Sequence, residues 1–306
     1  MPTPVLITGA TGMLGTALSR LLPEATCVNS SDCDLTDSKA TEELFLDYRP
    51  LQVFHLAGKV GGVLSNKRYI ADFYHKNIMI NTNVLESCRK SRVDKLVSCL
   101  STCIYPDSTE YPLVESSIHS GEPHDSNYGY AFAKRMLDIQ SRAYREQYGC
   151  NFVTIVPNNM FGECDNFHLE DSHVIPAMIR KIWEAKLNNT TVELWGDGTP
   201  LREFTYSEDI ARAMICVMEN YNSTQPINVG NTNEIQIKYL AEKISENLGY
   251  NHGIIWNRDM PTGQHRKPSN NEVFRNLGDF QYSEFEKSLK TVCEWFVNTY
   301  PDVKGI

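Results

Sequence analysis

Residues 5–22 constrain the fold more than any other part of the chain. Val5–Thr8 is a short apolar run, of the kind that forms a buried parallel strand. It leads directly into Gly9-Ala10-Thr11-Gly12-Met13-Leu14-Gly15, and Gly12–Leu22 has helical periodicity. A strand that turns straight into a helix collects free N–H groups and the positive end of a helix dipole at one point, which suits an anion. In such a turn Gly9 permits the tight bend, Gly12 lets backbone approach a pyrophosphate, and Gly15 permits close helix–sheet packing. Thr11, Met13 and Leu14 fill the rest of the loop.

Strand and helix patterns alternate through the first half. Val53–Ala57, Leu96–Leu100 and Phe152–Val156 read as strands, and Thr36–Tyr48, Tyr69–Lys90 and Asn127–Tyr148 as helices. This alternation predicts an α/β fold: a Rossmann-type, doubly wound parallel sheet with helices on both faces. After Phe161 the texture changes. A polar stretch from Gly162 to Asp171 precedes a helix near Val174–Ala185, a strand at Val192–Trp195 and the turn Gly196-Asp197-Gly198. Ser207–Glu219 reads as a helix and Pro226–Val229 as a strand returning to the main sheet. Helices near Ile237–Leu248 and Ser283–Thr299 follow. The expected plan is a nucleotide-binding domain of residues 1–162 plus about 203–230, and a smaller discontinuous C-terminal lobe of about 163–202 plus 231–306.

Composition removes several classes. No apolar run reaches the roughly 20 residues of a membrane span. The first residues lack the basic-then-apolar pattern of a secretion signal. The nine cysteines are irregularly spaced with no CxxC pair, which reads as reduced thiols in a cytoplasmic protein and not as a disulfide framework or a zinc site. No metal is expected. A formal charge of −9 argues against nucleic acid, so an anionic substrate needs a local cluster of positive charge.

Reduction chemistry is written in Tyr130-Ala131-Phe132-Ala133-Lys134. Positions i and i+4 share a helix face, so phenol and ammonium can point into one cleft. A nearby cation favours the phenolate and tunes the tyrosine as an acid and base. Lys134 can also hold a nicotinamide ribose. Ser101 follows the Leu96–Leu100 strand, at the sheet edge where cofactors bind in this architecture, and can donate to a carbonyl alongside Tyr130. Cys103 lies two residues on. If extended geometry persists, its side chain shares a side with Ser101. A base and a buried apolar thiol are both open for it. At the second strand's end, Ser30 and Ser31 can hydrogen-bond a 2′-phosphate, although no arginine is there. Asp34-Leu35 can bracket adenine, or Asp34 can cap the following helix. Ala57-Gly58 would let a ribose lie against backbone.

The glycine spacing resembles the extended short-chain dehydrogenase/reductase class. Further segments are similar to the GDP-L-fucose synthase family, whose members are 3,5-epimerase-4-reductases of GDP-4-keto-6-deoxy-D-mannose. They are Lys59-Val60-Gly61-Gly62, Ser101-Thr102-Cys103-Ile104-Tyr105-Pro106, Tyr130–Lys134 and Pro157-Asn158-Asn159-Met160-Phe161-Gly162. Asp165-Asn166-Phe167-His168, Ser172-His173-Val174-Ile175-Pro176, Trp195-Gly196-Asp197-Gly198 and Arg202-Glu203-Phe204 extend the match. They run in family order from Gly9 to about Lys267. The resemblance implies NADP(H) as cofactor and a GDP-sugar as substrate. It implies Ser101, Tyr130 and Lys134 for reduction, with Cys103 as base and His173 as acid for epimerisation. It adds Pro157, Asn159, Met160 and His173 to the cofactor residues, and Lys181, Trp195, Arg202 and Lys267 to the substrate residues. The stretch Asp259-Met260-Pro261-Thr262-Gly263 departs from a more acidic family pattern. By analogy with the class, a homodimer would form through the helices Tyr69–Lys90 and Asn127–Tyr148.

Two other functions fit parts of the pattern. A 4-keto reductase without epimerisation, giving a GDP-D-rhamnose-type product, would use the same residues. A non-catalytic NADP(H)-sensing Rossmann protein would tend to lose the Tyr130/Lys134 pair. A 4,6-dehydratase needs an Asp-Glu pair where Cys103-Ile104 stands.

Overall fold

A computed structural model describes residues 3–260 and 265–306. Pro261, Thr262 and Gly263, part of the stretch with the departing pattern, lie outside the described residues.

The first half is built from β1 (Val5–Thr8), α1 (Met13–Leu21), β2 (Thr26–Val28), α2 (Ser38–Tyr48), β3 (Gln52–His55), α3 (Val63–Arg68), α4 (Ile70–Lys90), β4 (Lys95–Cys99), α5 (Tyr128–Tyr148) and β5 (Phe152–Pro157). The second half adds β6 (Asn159–Phe161), α6 (Val174–Leu187), β7 (Val192–Trp195), β8 (Leu201–Tyr206), α7 (Ser207–Asn220) and β9 (Ile227–Val229). It ends with β10 (Glu234–Gln236), α8 (Ile237–Leu248), β11 (Ile254–Asn257), α9 (Glu272–Arg275) and α10 (Phe285–Thr299).

The main sheet has six parallel strands in the order β2-β1-β3-β4-β5-β9. The chain steps outward from β1 to β2 and then crosses back to β3, so the switch point of the doubly wound sheet lies between β1 and β3, beside the glycine turn. Leu14, Leu18, Ile210, Met214 and Val217, from α1 and α7, seal one face. Phe45, Val84, Leu85 and Leu137, from α2, α4 and α5, seal the other. Most of these strands are apolar end to end because both faces are covered. A separate core around Phe161, Phe167, Ile179, Phe204, Leu240 and Phe296 lies under α6, α8 and α10. Two small sheets, β10-β8-β6 and β11-β7, border it.

β1, β7 and α8 have the bounds expected from sequence, and β9 joins the main sheet beside β5 as expected. Two local expectations fail. The helix expected from Thr36 begins at Ser38, because its cap is Asp37, whose Oδ1 accepts Lys39 N at 2.8 Å and Ala40 N at 3.1 Å. Asp34 instead closes a turn of its own, accepting Thr36 N at 2.9 Å and Thr36 Oγ1 at 2.7 Å. The strand expected to run through Leu100 stops at Cys99, and Thr102–Ile104 forms a 3-10 turn. Ser101 is itself extended, but the chain turns at Thr102, so the strand alternation invoked for Cys103 does not hold.

No described helix is long and apolar enough to cross a membrane.

The glycine turn divides its work unequally. A Cβ on Gly15 would press on Gly9 O and lie 2.7 Å from Ala10 Cα, both backbone atoms that cannot swing aside. A Cβ on Gly12 would meet only Gly9 O, at 3.4 Å. Gly15→Ala is therefore expected to cost roughly 1–3 kcal/mol of stability. Gly12→Ala should cost at most about 1 kcal/mol, yet weaken dinucleotide binding. Urea unfolding with cofactor titration checks both, and equal stability losses would refute the division.

Candidate active site

The phosphate-binding turn is preformed. Gly9 adopts φ +73°, a region open to glycine. Its N–H and that of Ala10 donate to Val28 O at 2.9 and 3.2 Å, tying the turn to β2. Gly12 caps α1 without a side-chain hydrogen bond, and no acid sits in the first turn. The first N–H groups of α1 therefore point out unpaired. Across the switch point, Ala57 N donates to Thr8 Oγ1 at 3.4 Å. A Cβ on Gly58 would lie 3.7 Å from Lys134 Nζ, so the loop after β3 and the helix α5 meet there. These are contacts that an extended dinucleotide needs, and the residues present fit one.

The end of β2 is polar. Ser31 N and Oγ donate to Asn29 Oδ1 at 2.8 and 2.5 Å, and Asn29 N donates to Asp32 Oδ2 at 2.9 Å. Ser30 is exposed on this turn. Leu35 is buried and its carbonyl accepts Asn83 Nδ2 at 2.9 Å. The hydrogen bonds from Thr36 hold the Asp34 carboxyl below its usual range, with Lys76 adding to the effect.

The reducing residues converge at the end of β4. Lys134 is buried, and its Nζ donates to Cys99 O at 2.8 Å. One turn earlier on α5, the Tyr130 ring lies edge-on to Phe73 with centroids 6.2 Å apart, and Lys134 Nζ is 5.9 Å from its centroid. Burial pushes the Tyr130 phenol well up, with the Cys103 and Cys99 thiols adding to it, and burial pushes Lys134 down. Burial thus holds the phenol protonated, which suits a proton donor. His55 lies between Thr8 Oγ1 at 2.8 Å and Asn81 Oδ1 at 3.1 Å. Burial and the Lys134 charge push its pKa down to about 3, so it stays neutral.

Ser101 caps the 3-10 turn, accepting Cys103 N at 3.4 Å. The turn, and not a strand, brings Cys103 back toward Tyr130 and Lys134. Burial pushes the Cys103 thiol up, while the Ser101 hydrogen bond and the Lys267 and Lys134 charges pull it back. Lys267 comes from distant sequence. Burial lowers it, Cys103 and Asp107 raise it, and the neighbouring Arg202 lowers it further. Arg202 is itself lowered by burial, opposed by Tyr111, and its Nη1 donates to Leu201 O at 2.7 Å. Two desolvated, mutually repelling cations beside a thiol make a site for an anionic group.

Farther out, Lys181 Nζ sits 5.0 Å from the ring centroid of the partly exposed Trp195. Burial lowers Lys181 and Glu193 raises it. His173 caps α6, and its ring makes no cap hydrogen bond and is exposed. Pro157 ends β5. Asn159 Nδ2 donates to Glu203 O at 2.9 Å, and Met160 packs beside the α1–α7 core.

Sequence reasoning missed three supports. Phe73 walls Tyr130. Asn77 binds Lys59 through Oδ1 and Nδ2, both at 3.0 Å, which fixes the loop after Gly58. Glu203 is buried and accepts Ser269 N at 2.9 Å and Ser269 Oγ at 2.5 Å, which anchors the segment carrying Lys267. No local pattern in Leu201–Tyr206 signals the last.

A Rossmann sheet with a serine beyond β4 and a Tyr/Lys pair on α5 defines a nicotinamide-dependent short-chain oxidoreductase of the extended type. Residues 5–230 match the model of the NAD dependent epimerase/dehydratase family. The GDP-L-fucose synthase of Dictyostelium discoideum is 41% identical, over 97% of this chain and 96% of that protein. A probable GDP-L-fucose synthase of Drosophila melanogaster is 37% identical, over 98% and 99%. The crystal structure of a GDP-L-fucose synthetase from Naegleria fowleri bound to NADP superposes with a TM-score of 0.94 at 36% identity, covering 99% of this chain and 97% of that one. The chain belongs to the NAD dependent epimerase/dehydratase family and, within it, to the GDP-L-fucose synthases.

The charge around Cys103 can be measured. Its alkylation by iodoacetamide, followed by mass spectrometry of the peptide, should accelerate with pH beyond the range of an ordinary thiol, because burial raises its pKa. Lys267→Met removes a charge that favours thiolate and should slow labelling while the thiol is mostly protonated. Unchanged labelling would place Lys267 out of electrostatic reach.

Proposed function

We propose that this protein converts GDP-4-keto-6-deoxy-D-mannose to GDP-L-fucose, by epimerisation at C3 and C5 followed by NADPH-dependent reduction at C4. The observation that carries this reading is the grouping of Cys103 with Ser101, Tyr130 and Lys134 on one side and with the Lys267–Arg202 pair on the other. The thiol is placed to serve as the base that inversion requires, and the cation pair supplies the local positive charge that a net charge of −9 lacks.

NADP(H) would be held by Gly9, Thr11, Gly12, Met13, Leu14 and Gly15 at its pyrophosphate, with Ser30, Asp34 and Leu35 toward the adenosine end. Ala57, Gly58, Lys134, Pro157, Asn159, Met160 and His173 would line its nicotinamide end. When bound in reduced form, it supplies the hydride for C4. Arg202 and Lys267 would bind the substrate diphosphate, with Lys181 and Trp195 farther along the nucleotide sugar. Cys103, as thiolate, takes the proton from C3 or C5. The Ser101 and Tyr130 hydroxyls donate to the enolate oxygen that forms, and His173 returns a proton to the carbon from the opposite face. Thiol and imidazole then exchange protons with water and reset. In reduction Tyr130 gives its proton to O4, and the Lys134 charge stabilises the phenolate left behind. One pair of donors serves both steps because the carbonyl oxygen gains negative charge in each.

In this proposal residues 1–162 and about 203–230 form the cofactor domain, and about 163–202 and 231–306 the substrate lobe. Nine free cysteines suit a reducing compartment, and we place the enzyme in the cytoplasm. We also propose a homodimer through α4 and α5, which pack on each other and expose Tyr74, Met136 and Ile139.

The test is NADPH oxidation on adding GDP-4-keto-6-deoxy-D-mannose, with product stereochemistry read by NMR. Tyr130→Phe should slow hydride transfer roughly 10²–10⁴-fold. Cys103→Ser should stop deuterium uptake at C3 and C5 from heavy water while cofactor binding persists. Normal uptake in that variant would remove the thiol from the scheme, and a product reduced without inversion would favour the reductase alternative.

A further inference from the structure

We infer that Asp165 is the positioning residue for His173: its carboxylate oxygen, unpartnered with the ring where this structure places it, is the acceptor that a turn of the imidazole brings to the ring N–H on the side away from the sugar. The inference rests on the reading of His173 as the proton donor. Asp165 is 7% exposed. Its Oδ1 accepts Asn166 N at 2.7 Å, but its Oδ2 is buried and has no hydrogen-bond partner among the described residues. Buried polar atoms are rarely left so. Burial raises the Asp165 carboxyl, and the strongest pull back is from His173, ahead of the Asn166 N–H and Lys304.

The framework joins the two residues mechanically. Phe167, two residues after Asp165, is fully buried with its ring centroid 4.6 Å from that of Phe296. Its N–H donates to Lys304 O at 2.8 Å, and its carbonyl accepts Arg180 Nη1 at 3.0 Å. The same Arg180 Nη1 also donates to Gly305 O at 2.8 Å. Arg180 lies on α6, the helix that His173 begins, about two turns along. The segment bearing Asp165 and the helix bearing His173 are thus bonded to each other.

An exposed imidazole that must deliver a proton to one face of a carbon needs its orientation and tautomer fixed through its other nitrogen. A carboxylate does both and stabilises the imidazolium. Asp165→Asn keeps the shape but offers a donor as well as an acceptor, so the ring can settle in the wrong tautomer.

The experiment uses the full-length enzyme loaded with NADP. Asp165→Asn, His173→Asn and the double variant are compared by deuterium uptake at C3 and C5 of GDP-4-keto-6-deoxy-D-mannose in heavy water. Asp165→Asn should slow uptake roughly 10–100-fold with substrate KM unchanged, and should add nothing in the His173→Asn background. The ¹⁵N spectrum of the His173 ring should pass from one tautomer to a mixture. Uptake at the parent rate in Asp165→Asn, while His173→Asn is slow, would overturn the inference and leave His173 in place. Equal slowing in both backgrounds would also overturn it. Normal uptake in His173→Asn would remove the proton-donor reading, and this inference with it. If Asp165→Asn does not fold, the ring spectrum of the unsubstituted enzyme decides, and a mixture of tautomers there overturns the inference.

Discussion

The hydrogen bond from Lys134 Nζ to Cys99 O, at 2.8 Å, is the contact on which the site depends. It joins the middle of α5 to the last residue of β4, so the helix face with Tyr130 is held over the sheet edge where Ser101 and Cys103 emerge. Burying an ammonium costs free energy unless it finds good acceptors. The carbonyl of Cys99, at the end of the strand, is such an acceptor. Beyond it the 3-10 turn carries Cys103 into electrostatic reach of the same ammonium.

Desolvation sets the protonation of the whole cluster. It raises Tyr130 and Cys103, both neutral when protonated, and lowers Lys134, Lys267 and Arg202, which are charged when protonated. A dry pocket thus favours neutral forms throughout and is costly to its own cations. An anion brought beside Lys267 and Arg202 would relieve that cost. Because Lys267 also influences Cys103, the charge beside Lys267 and the state of the thiol are electrostatically linked.

Much of the main sheet was legible because its strands are buried on both faces and carry uninterrupted apolar runs, as in Val5–Thr8 and Leu96–Leu100. The helices were legible by period, with ends wrong by a cap: Asp37 won over Asp34 because only Asp37 could reach two N–H groups of the first turn. The substrate lobe was less legible. β6, β8, β10 and β11 are short strands at which polar side chains find partners far along the chain, and no local pattern encodes a partner. Ser101, Tyr130 and Lys134 could be read as a motif, since their relation is local to one strand end and one helix face. The approach of Lys267 to Cys103 depends on how the lobe sits on the sheet.

That seating is governed by Glu203. Its carboxylate takes both the N–H and hydroxyl of Ser269, and also Asn158 Nδ2 at 3.2 Å. Asn158 in turn donates to Asn231 O at 2.8 Å and accepts Thr205 Oγ1 at 2.6 Å. One buried carboxyl thus binds β8, the residue after β5 and the segment after Lys267. Burial raises its pKa while the bonds from Ser269 and Asn158 lower it, so the network and the charge support each other. Arg202 precedes Glu203 and Lys267 lies two residues before Ser269, so the segments bearing both cations are tied to this carboxylate. Their placement on the sheet therefore rests on a buried polar network whose members are costly to leave unpaired.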